Sequence, residues 1–401
     1  MSAIGSAVRR SVGVQMSRWP RRILFGDVDA MYASSAIVAN PSLDGRLVAV
    51  GSPPPRGIIT AASYPLRAYG VKAAMPTAHA LRLCPDLILV APDRALYRRM
   101  HERMREVTDR LFPATEWSSI DEFYVDTTEL QTRYPDSIAL GKIVKESLYA
   151  ATGLCCTVAI ATGKAVAKIA ADHHKPNGLA VIEPGMEAEF LAKRAVRSLP
   201  GIGPKTAQAL ESHGIRLIAD LFEPLYEPTL RRMWGTRLAA LQELGKGIDR
   251  DLVVSDRAAK SLSHETTFDE DTADLHVLER TLRGFLSELT HELRLQGLAA
   301  GAFTVKLKDA TFTVTARQRH FSEPLNYDPP MWKVIQPALA NLISPRTRYR
   351  LAGLSLSDLL PATENLFDQR TNNAIAAMDA VIEKYGANTI RLGGTPEESG
   401  R

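Results

Sequence analysis

Three contrasts along the chain predict an α+β protein of several domains. Residues 22–182 alternate short apolar strands with amphipathic helices. Residues 186–250 switch to helices broken by Gly and Pro, as in LPGIGPKT and LFEPLYEP. Residues 272–357 then return to an α/β pattern with a long helix and alternating strands. A chain of 401 residues has room for roughly two to four such domains.

The first module opens with RILFGDV (22–28), a short buried strand ending in acid. PTAHALRLC (76–84) reads as a helix with Pro at its start. Over 95–112, Leu96, Met100, Met104, Val107 and Leu111 share one helical face, with Arg98, Arg99 and Arg103 elsewhere. WSSIDEFYVD is strand-like, rich in β-branched and aromatic residues. Helix 137–151, strand 154–161, helix 164–173 and strand GLAVI (178–182) complete an α/β or α+β module. After the helical stretch, RDLVVSDRAAK (250–260) is polar, weakly patterned and reads as a linker. A long amphipathic helix follows at 272–298. GAFTVKLKDA and TFTVTARQRHF alternate with period two around a turn near Asp309 and Ala310. Helix 331–343 and strand 347–357 close the last module, and the tail from 361 is polar with a helical stretch at 372–384.

Composition excludes several classes. No apolar run approaches the roughly 20 residues a membrane span needs, and the first 22 residues hold no signal-type apolar block. Cys84, Cys155 and Cys156 form neither a disulfide framework nor a zinc spacing. The adjacent pair sits in LCCTVAIA, where reduced core cysteines and a cytoplasmic setting are expected. Net charge is +4, but residues 1–22 carry five arginines and no acid, leaving the rest at −1. Global charge is therefore no argument for nucleic acid; local sorting must decide. Residues 1–21 read as a basic, disordered leader, and Met16 is an alternative start.

Candidate chemistry begins with acids. Asp27 ends an apolar strand, and Asp121 and Glu122 stand together in SSIDEFYVD. Such acids cost desolvation unless compensated. Divalent cations compensate them, and hard oxygen ligands suit Mg²⁺. Adjacent strand residues point to opposite faces, so Asp121 and Glu122 converge only at a hairpin tip or a distorted strand. Asp29 and Asp126 are equally acidic and also near strand ends, so spacing alone does not select the metal set.

Six ordered segments then select it. FGDVDAMYAS and SSIDEFYVDTT resemble the first and second motifs of the Y-family DNA polymerases. ITAASYPLRAYGVKAAMPTAHALRLCP resembles their fingers, KAVAKIAADHHKPNGLAVI their palm, LPGIGPKTAQAL their thumb and KSLSHETTFDED the start of their little finger. The resemblance spans about residues 22–360. It implies a right-hand polymerase: palm at 22–30 and 94–182, small fingers at 31–93, and a helical thumb with a helix–hairpin–helix at 183–249. A linker at 250–260, an α/β little finger at 261–360 and a tail at 361–401 follow. The implied activity is low-fidelity, template-directed nucleotidyl transfer from dNTP to a primer 3′-OH during damage tolerance, with two Mg²⁺ ions and no proofreading.

Residue by residue, the resemblance makes Asp27, Asp121 and Glu122 catalytic metal ligands, joined by the Val28 carbonyl. Tyr32 takes the steric-gate position, where an aromatic ring collides with a ribose 2′-OH. Tyr64, Arg67 and Lys175 take the triphosphate contacts, with Met31 and Thr60 also at the nucleotide. Two positions depart from the pattern. Ala61 replaces the usual phosphate-binding Thr, with Thr60 beside it, and Ala36 stands where a glutamate is common.

DNA contacts are expected at Gly201, Gly203 and Lys205, where glycines bring helix N-terminal N–H groups to a phosphate. Residues 306–350 carry eight Lys or Arg against three acids. Thr313, Thr315, Arg317 and Arg319 share a strand face, with Phe312 and Val314 opposite, predicting a cationic face with an apolar back. TENLFDQR faintly resembles a sliding-clamp motif through Leu366 and Phe367. A monomer is expected. The rival readings are a non-catalytic Y-family scaffold and a nucleotidyl cyclase, and the intact acids and the thumb argue against them.

Overall fold

The computed structural model describes residues 18–255, 258–344, 346–362, 373, 377–381 and 384. Contacts divide the chain into two units, Met1–Arg257 and Ala258–Arg401. The first runs β1 (Ile23–Val28), α1 (Met31–Ala39), β2 (Val48–Gly51), β3 (Ile59–Ala62), α2 (Tyr64–Arg67), α3 (Thr77–Leu83), β4 (Ile88–Val90) and α4 (Arg94–Leu111). It continues with β5 (Glu116–Trp117), β6 (Glu122–Asp126), α5 (Ser137–Thr152), β7 (Cys156–Ala161), α6 (Lys164–His174) and β8 (Leu179–Val181). Helices α7 (Glu187–Ala192), α8 (Pro204–Ser212), α9 (Glu227–Trp234) and α10 (Leu238–Gly245) complete it.

β1 is the middle strand of a sheet ordered β5-β6-β1-β7-β8 and is buried along its whole length. Alternation sends its side chains into two cores. Leu24 and Val28 meet Leu96, Met100 and Met104 of α4 and Leu140, Val144 and Leu148 of α5. Ile23 and Phe25 meet Val166, Ala167 and Ala170 of α6 on the other face. That second core continues into Leu191, Leu210, Leu230 and Leu241, so the helical segment packs on the sheet instead of forming a core of its own. Gly26 is required here: an added Cβ would lie 2.3 Å from Cζ of Phe123 on the neighbouring strand.

A smaller sheet, ordered β3-β2-β4, packs Ala49, Ile59 and Ala62 against Leu66, Val71 and Ala80. These strands are only three or four residues long and lack a readable period, so the sequence reading found just the helix beside them.

Several expectations change. WSSIDEFYVD is a hairpin, not one strand: β5 and β6 flank a turn in which Ser118 N donates to Glu122 O at 3.0 Å. Residues 18–21 are not a free tail. Trp19 is 6% exposed, its N–H donates to Gln131 Oε1 at 2.7 Å, and Arg21 donates to the Asp249 and Asp251 carbonyls. Apolar burial of one tryptophan outweighs the polarity of its neighbours. Residues 1–17 lie outside the described residues. Cys155 is exposed while Cys84 and Cys156 are buried, because Cys155 precedes β7 and Cys156 is the first residue of a strand buried on both faces. The near end of the expected linker is strapped down as well: Val254 N donates to Glu116 Oε2 at 2.8 Å.

The second unit runs β9 (Ser261–Thr272), α11 (Leu275–Leu295), β10 (Leu298–Asp309), β11 (Val314–Leu325), α12 (Asp328–Ala340) and β12 (Tyr349–Pro361). The sheet order is β11-β10-β12-β9. Leu278, Leu282, Leu286, Leu289 and Leu293 of α11 and Met331 and Ile335 of α12 cover Phe303, Val305, Leu307, Leu354 and Leu356. β9 escapes the sequence reading because its alternation is mostly polar; it pairs with β12 from Ser261 to Thr272. Residues 377–381 are helical, and Arg294 and His291 both donate to or contact Asp379 at 2.7–2.8 Å.

The register of β11 overturns one prediction. Thr315 pairs with Leu307, Arg317 with Val305 and Arg319 with Phe303. Directly opposed residues share a face, so these three lie on the core side of the sheet and not on a face with an apolar back. The open face carries Lys306, Lys308, Gln318 and His320 instead. Periodicity showed which residues share a face; only the β10 partner shows which face it is.

Candidate active site

The acids meet where β1 ends. In β1, Asp27 lies opposite Glu122 of β6 and Thr157 of β7. It points to the α6 side with Ile23 and Phe25, and is 2% exposed. Asp121 occupies the β5–β6 turn, so it escapes the strand alternation that would have turned it from Glu122. Its carbonyl accepts from Val28 N at 3.0 Å. The hairpin thus brings the backbones of the two consecutive acids beside the end of β1.

Each carboxylate already has a partner. Lys175 donates to Asp27, Lys168 donates to Glu122, and Ser119 Oγ donates to Asp121 Oδ1 at 2.5 Å. Among the described residues, no three His, Cys, Asp or Glu side chains are gathered as a metal cluster. Backbones of the three acids are adjacent, then, while their side chains are held singly. Burial pushes the Asp27 carboxyl up to about 7; Lys175 opposes this, and Glu122 and Asp121 add to it. Burial pulls the Lys175 ammonium down, but Asp27 outweighs it and leaves the group raised.

The lysines that meet these acids follow the helical period of α6. Lys164, Lys168 and Lys175 are spaced by four and seven, one stripe of α6 extended through its C-cap. Lys164 donates to both Glu116 oxygens at 2.8 Å, and the pair is about nine-tenths buried. Lys164 and Lys168 also lie over the rings of Tyr124 and Phe25, at 4.7 and 5.0 Å. Three ammonium groups therefore face three acids of the sheet: Glu116, Glu122 and Asp27.

Asp29 is a separate hub. Its Oδ1 accepts from Thr157 Oγ1 at 2.9 Å and from Tyr64 OH at 3.3 Å; its Oδ2 accepts from Asn177 N at 2.7 Å. It is 4% exposed. An acid spent on three donors from three elements is a joint in the fold, which explains why it stands apart from the other acids.

Around this joint, Arg67 lies over the Tyr64 ring at 4.3 Å and donates from Nε to Ala62 O. Tyr32 is half-buried and its ring lies 4.4 Å from that of Tyr97. Burial raises its hydroxyl pKa, and Asp121 adds to the effect. Met31 is 2% exposed and its side chain belongs to the core, leaving only its main chain for a ligand. Thr60 is exposed on β3, whereas Ala61 and Ala36 are buried.

Gly201 has φ +89, a left-handed conformation that favours glycine. Gly203 N-caps α8 without a side-chain bond, and an added Cβ would meet nothing within 4 Å. Lys205 is exposed beside it. These three residues belong to the helical segment and are not gathered with the acids. Leu366 and Phe367 lie outside the described residues. Among the described residues, no helix is long and apolar enough to cross a membrane.

Comparison with known proteins gives the arrangement its context. A model of the impB/mucB/samB family matches residues 26–172, that family's C-terminal domain matches 259–370, and the IMS family HHH motif matches 184–215. DNA polymerase IV 2 of Agrobacterium fabrum is 35% identical over 339 residues, 84% of this chain and 95% of that protein. A solved Y-family DNA polymerase chimera, Dbh-Dpo4(243-245)-Dbh, is 26% identical with a TM-score of 0.78, covering 85% of this chain and all of the other. The insertion ternary complex of Dbh DNA polymerase, 25% identical, gives a TM-score of 0.61 over 85% of this chain and all of that one. With its palm-type sheet, its helix–hairpin–helix segment and its C-terminal sheet domain, the chain belongs to the Y family of translesion DNA polymerases and is a DNA-directed DNA polymerase.

Proposed function

We propose that this polymerase joins a dNTP to a primer 3′-OH at a two-metal centre held by Asp27, Asp121, Glu122 and the Val28 carbonyl. One observation carries the reading: a carboxylate 2% exposed, facing two further acids, whose proton affinity is raised by burial. Carboxylates in that state lack sufficient positive charge, and the two nearest cations are flexible lysines that can yield. The donor set is all hard oxygen, which fits Mg²⁺. When bound, two such ions lower the pKa of the primer hydroxyl and steady the charge on the leaving pyrophosphate.

The chain's own residues do the rest. The bond formed joins the primer 3′-oxygen to the α-phosphorus; the bond broken releases pyrophosphate. Lys175, Arg67 and Tyr64 bind the triphosphate, the first as a point charge, the second as a planar fork and the third as a hydroxyl donor. Thr60 and the main chain of Met31 line the same nucleotide. Tyr32, backed by Tyr97, excludes a ribose 2′-OH. Gly201, Gly203 and Lys205 offer the exposed N-terminus of α8 to a backbone phosphate, and room at Gly203 supports close approach. In the C-terminal unit, Thr315, Arg317 and Arg319 on the edge strand track the primer-template backbone. A cytoplasmic monomer docking on a sliding clamp through Leu366 and Phe367 completes the proposal.

Primer extension with Mg²⁺ and four dNTPs tests it. Template-dependent extension by the native chain, abolished by Asp121→Asn or Glu122→Gln, is the expected result. No extension by the native chain would favour a scaffold. Tyr32→Ala should admit ribonucleotides; unchanged sugar discrimination would remove the gate assignment.

A further inference from the structure

Lys145 of α5 lies outside the lysine stripe and faces no acid in its hydrogen bonding. Its Nζ donates to the carbonyls of Cys156 (2.9 Å), Asn177 (2.7 Å) and Gly178 (2.9 Å), and to Asn177 Oδ1 (2.7 Å). An ammonium group has three N–H bonds, so four oxygens at this range saturate it. Three of the four belong to Asn177 and Gly178, the two residues that follow Lys175-Pro176.

This loop holds a conformation that needs support. Asn177 has φ +52, in the left-handed region. Gly178 approaches His174 so closely that a Cβ would sit 2.2 Å from its carbonyl oxygen. On the far side, Asn177 N donates to Asp29 Oδ2 at 2.7 Å, and Asp29 in turn accepts from Tyr64. The loop is therefore clamped between a cation from α5 and a carboxylate from the end of β1. Its next-door residue, Lys175, reaches Asp27.

We propose that Lys145 is a positioning residue for the polymerase reaction: by gathering the Cys156, Asn177 and Gly178 carbonyls, it fixes where Lys175 meets the incoming nucleotide. This rests on the assignment of Lys175 to the triphosphate. Carbonyl oxygens converging on one point repel each other without a positive centre. Removing the ammonium releases the loop, and Lys175 then samples positions away from the phosphates. Binding of the nucleotide suffers first, because the acids that hold the metals stand on other strands.

Single-nucleotide insertion kinetics on Lys145→Met, Lys175→Met and the double variant test the idea. Lys145→Met should raise the dNTP KM about 10-fold while kcat falls less than about threefold. In the Lys175→Met background the same change should add less than about twofold, since coupled residues are non-additive. Fully multiplied effects, or an unchanged KM in Lys145→Met, would overturn the proposal. If Lys175→Met itself leaves the dNTP KM unchanged, the triphosphate assignment fails instead. Hydrogen–deuterium exchange on the metal-free protein then judges the hold of Lys145 separately: residues 177–178 should exchange faster in Lys145→Met, and unchanged exchange refutes the clamp. Should Lys145→Met not fold, Lys145→Arg takes its place. Its planar fork cannot centre four convergent oxygens, so a KM raised about threefold supports the proposal and a native KM opposes it.

Discussion

The two large sheets of this polymerase treat charge in opposite ways. The first, β5-β6-β1-β7-β8, is covered on both faces, by α4 and α5 on one side and by α6 with the later helices on the other. Its charged groups are matched and enclosed to differing degrees: Glu116 with Lys164 and Asp27 with Lys175 are buried or nearly so, and Glu122 with Lys168 is half-buried. The C-terminal sheet, β11-β10-β12-β9, has helices on one face only, and its charges lie on the open face and along the edge strand. There the Lys306–Glu265 pair keeps side-chain exposures of 37% and 52%, so water screens it. Enclosed charge stores a demand for counter-charge, which suits metal chemistry. Open charge is free to meet a phosphate backbone.

Breaking each kind of charge should therefore have unequal consequences. The largest effect is expected on catalysis: Glu122→Gln should cut primer extension by about 10³-fold or more without unfolding the chain. Activity within tenfold of native would sink the contrast. Next comes stability. Lys164→Met leaves the buried Glu116 without a counter-charge, holding only the Val254 N–H, and should cost about 3–5 kcal/mol by denaturant titration, whereas replacing both partners with apolar residues recovers much of it. Lys306→Met should cost about 0–1 kcal/mol by the same denaturant titration. Equal losses would mean that enclosure makes no difference.

Gly26→Ala sharpens the point at the strand itself. Phe123 must move, and overpacking should cost about 1–3 kcal/mol, with a parallel loss of activity as Asp27 and Glu122 shift.

The pH dependence of the metal-free protein gives a subtler signal. Asp27 in the folded chain titrates at about 7, above the ordinary 3.8. The folded state thus binds a proton that the unfolded state has released. This contribution is fully present below about 4 and is lost as pH rises through about 7. Thermal melting should show Asp27→Asn gaining on the native chain as pH increases; parallel curves would contradict the burial argument. The smallest effect belongs to the open sheet. Arg317→Ala or Arg319→Ala should weaken DNA binding evenly across sequences and lower the salt slope by about 1 each.

How much of this was legible beforehand depended on distance along the chain. The helix at Arg94–Leu111 follows from five apolar residues at helical spacing, and the observed core uses four of them, with Leu111 packed at its edge. Asp27, Asp121 and Glu122 were singled out by motifs, and the need for either a hairpin tip or a distorted strand at Asp121 and Glu122 followed from strand geometry; the structure decided for the hairpin. By contrast, the stripe of Lys164, Lys168 and Lys175 was present in the helical spacing, yet nothing local revealed that each would meet an acid on a strand some 40 to 150 residues earlier.

By itself, then, the sequence determined local periods, turn residues and the order of motifs, because these depend on a few neighbours and on backbone preferences. Tertiary structure alone decided that Trp19 is interior, that Arg317 and Arg319 stand on the core side of β11, and that Lys145 ties down the Asn177 loop. Each of those depends on register or packing between distant segments, and a one-residue slip in register would reverse every face.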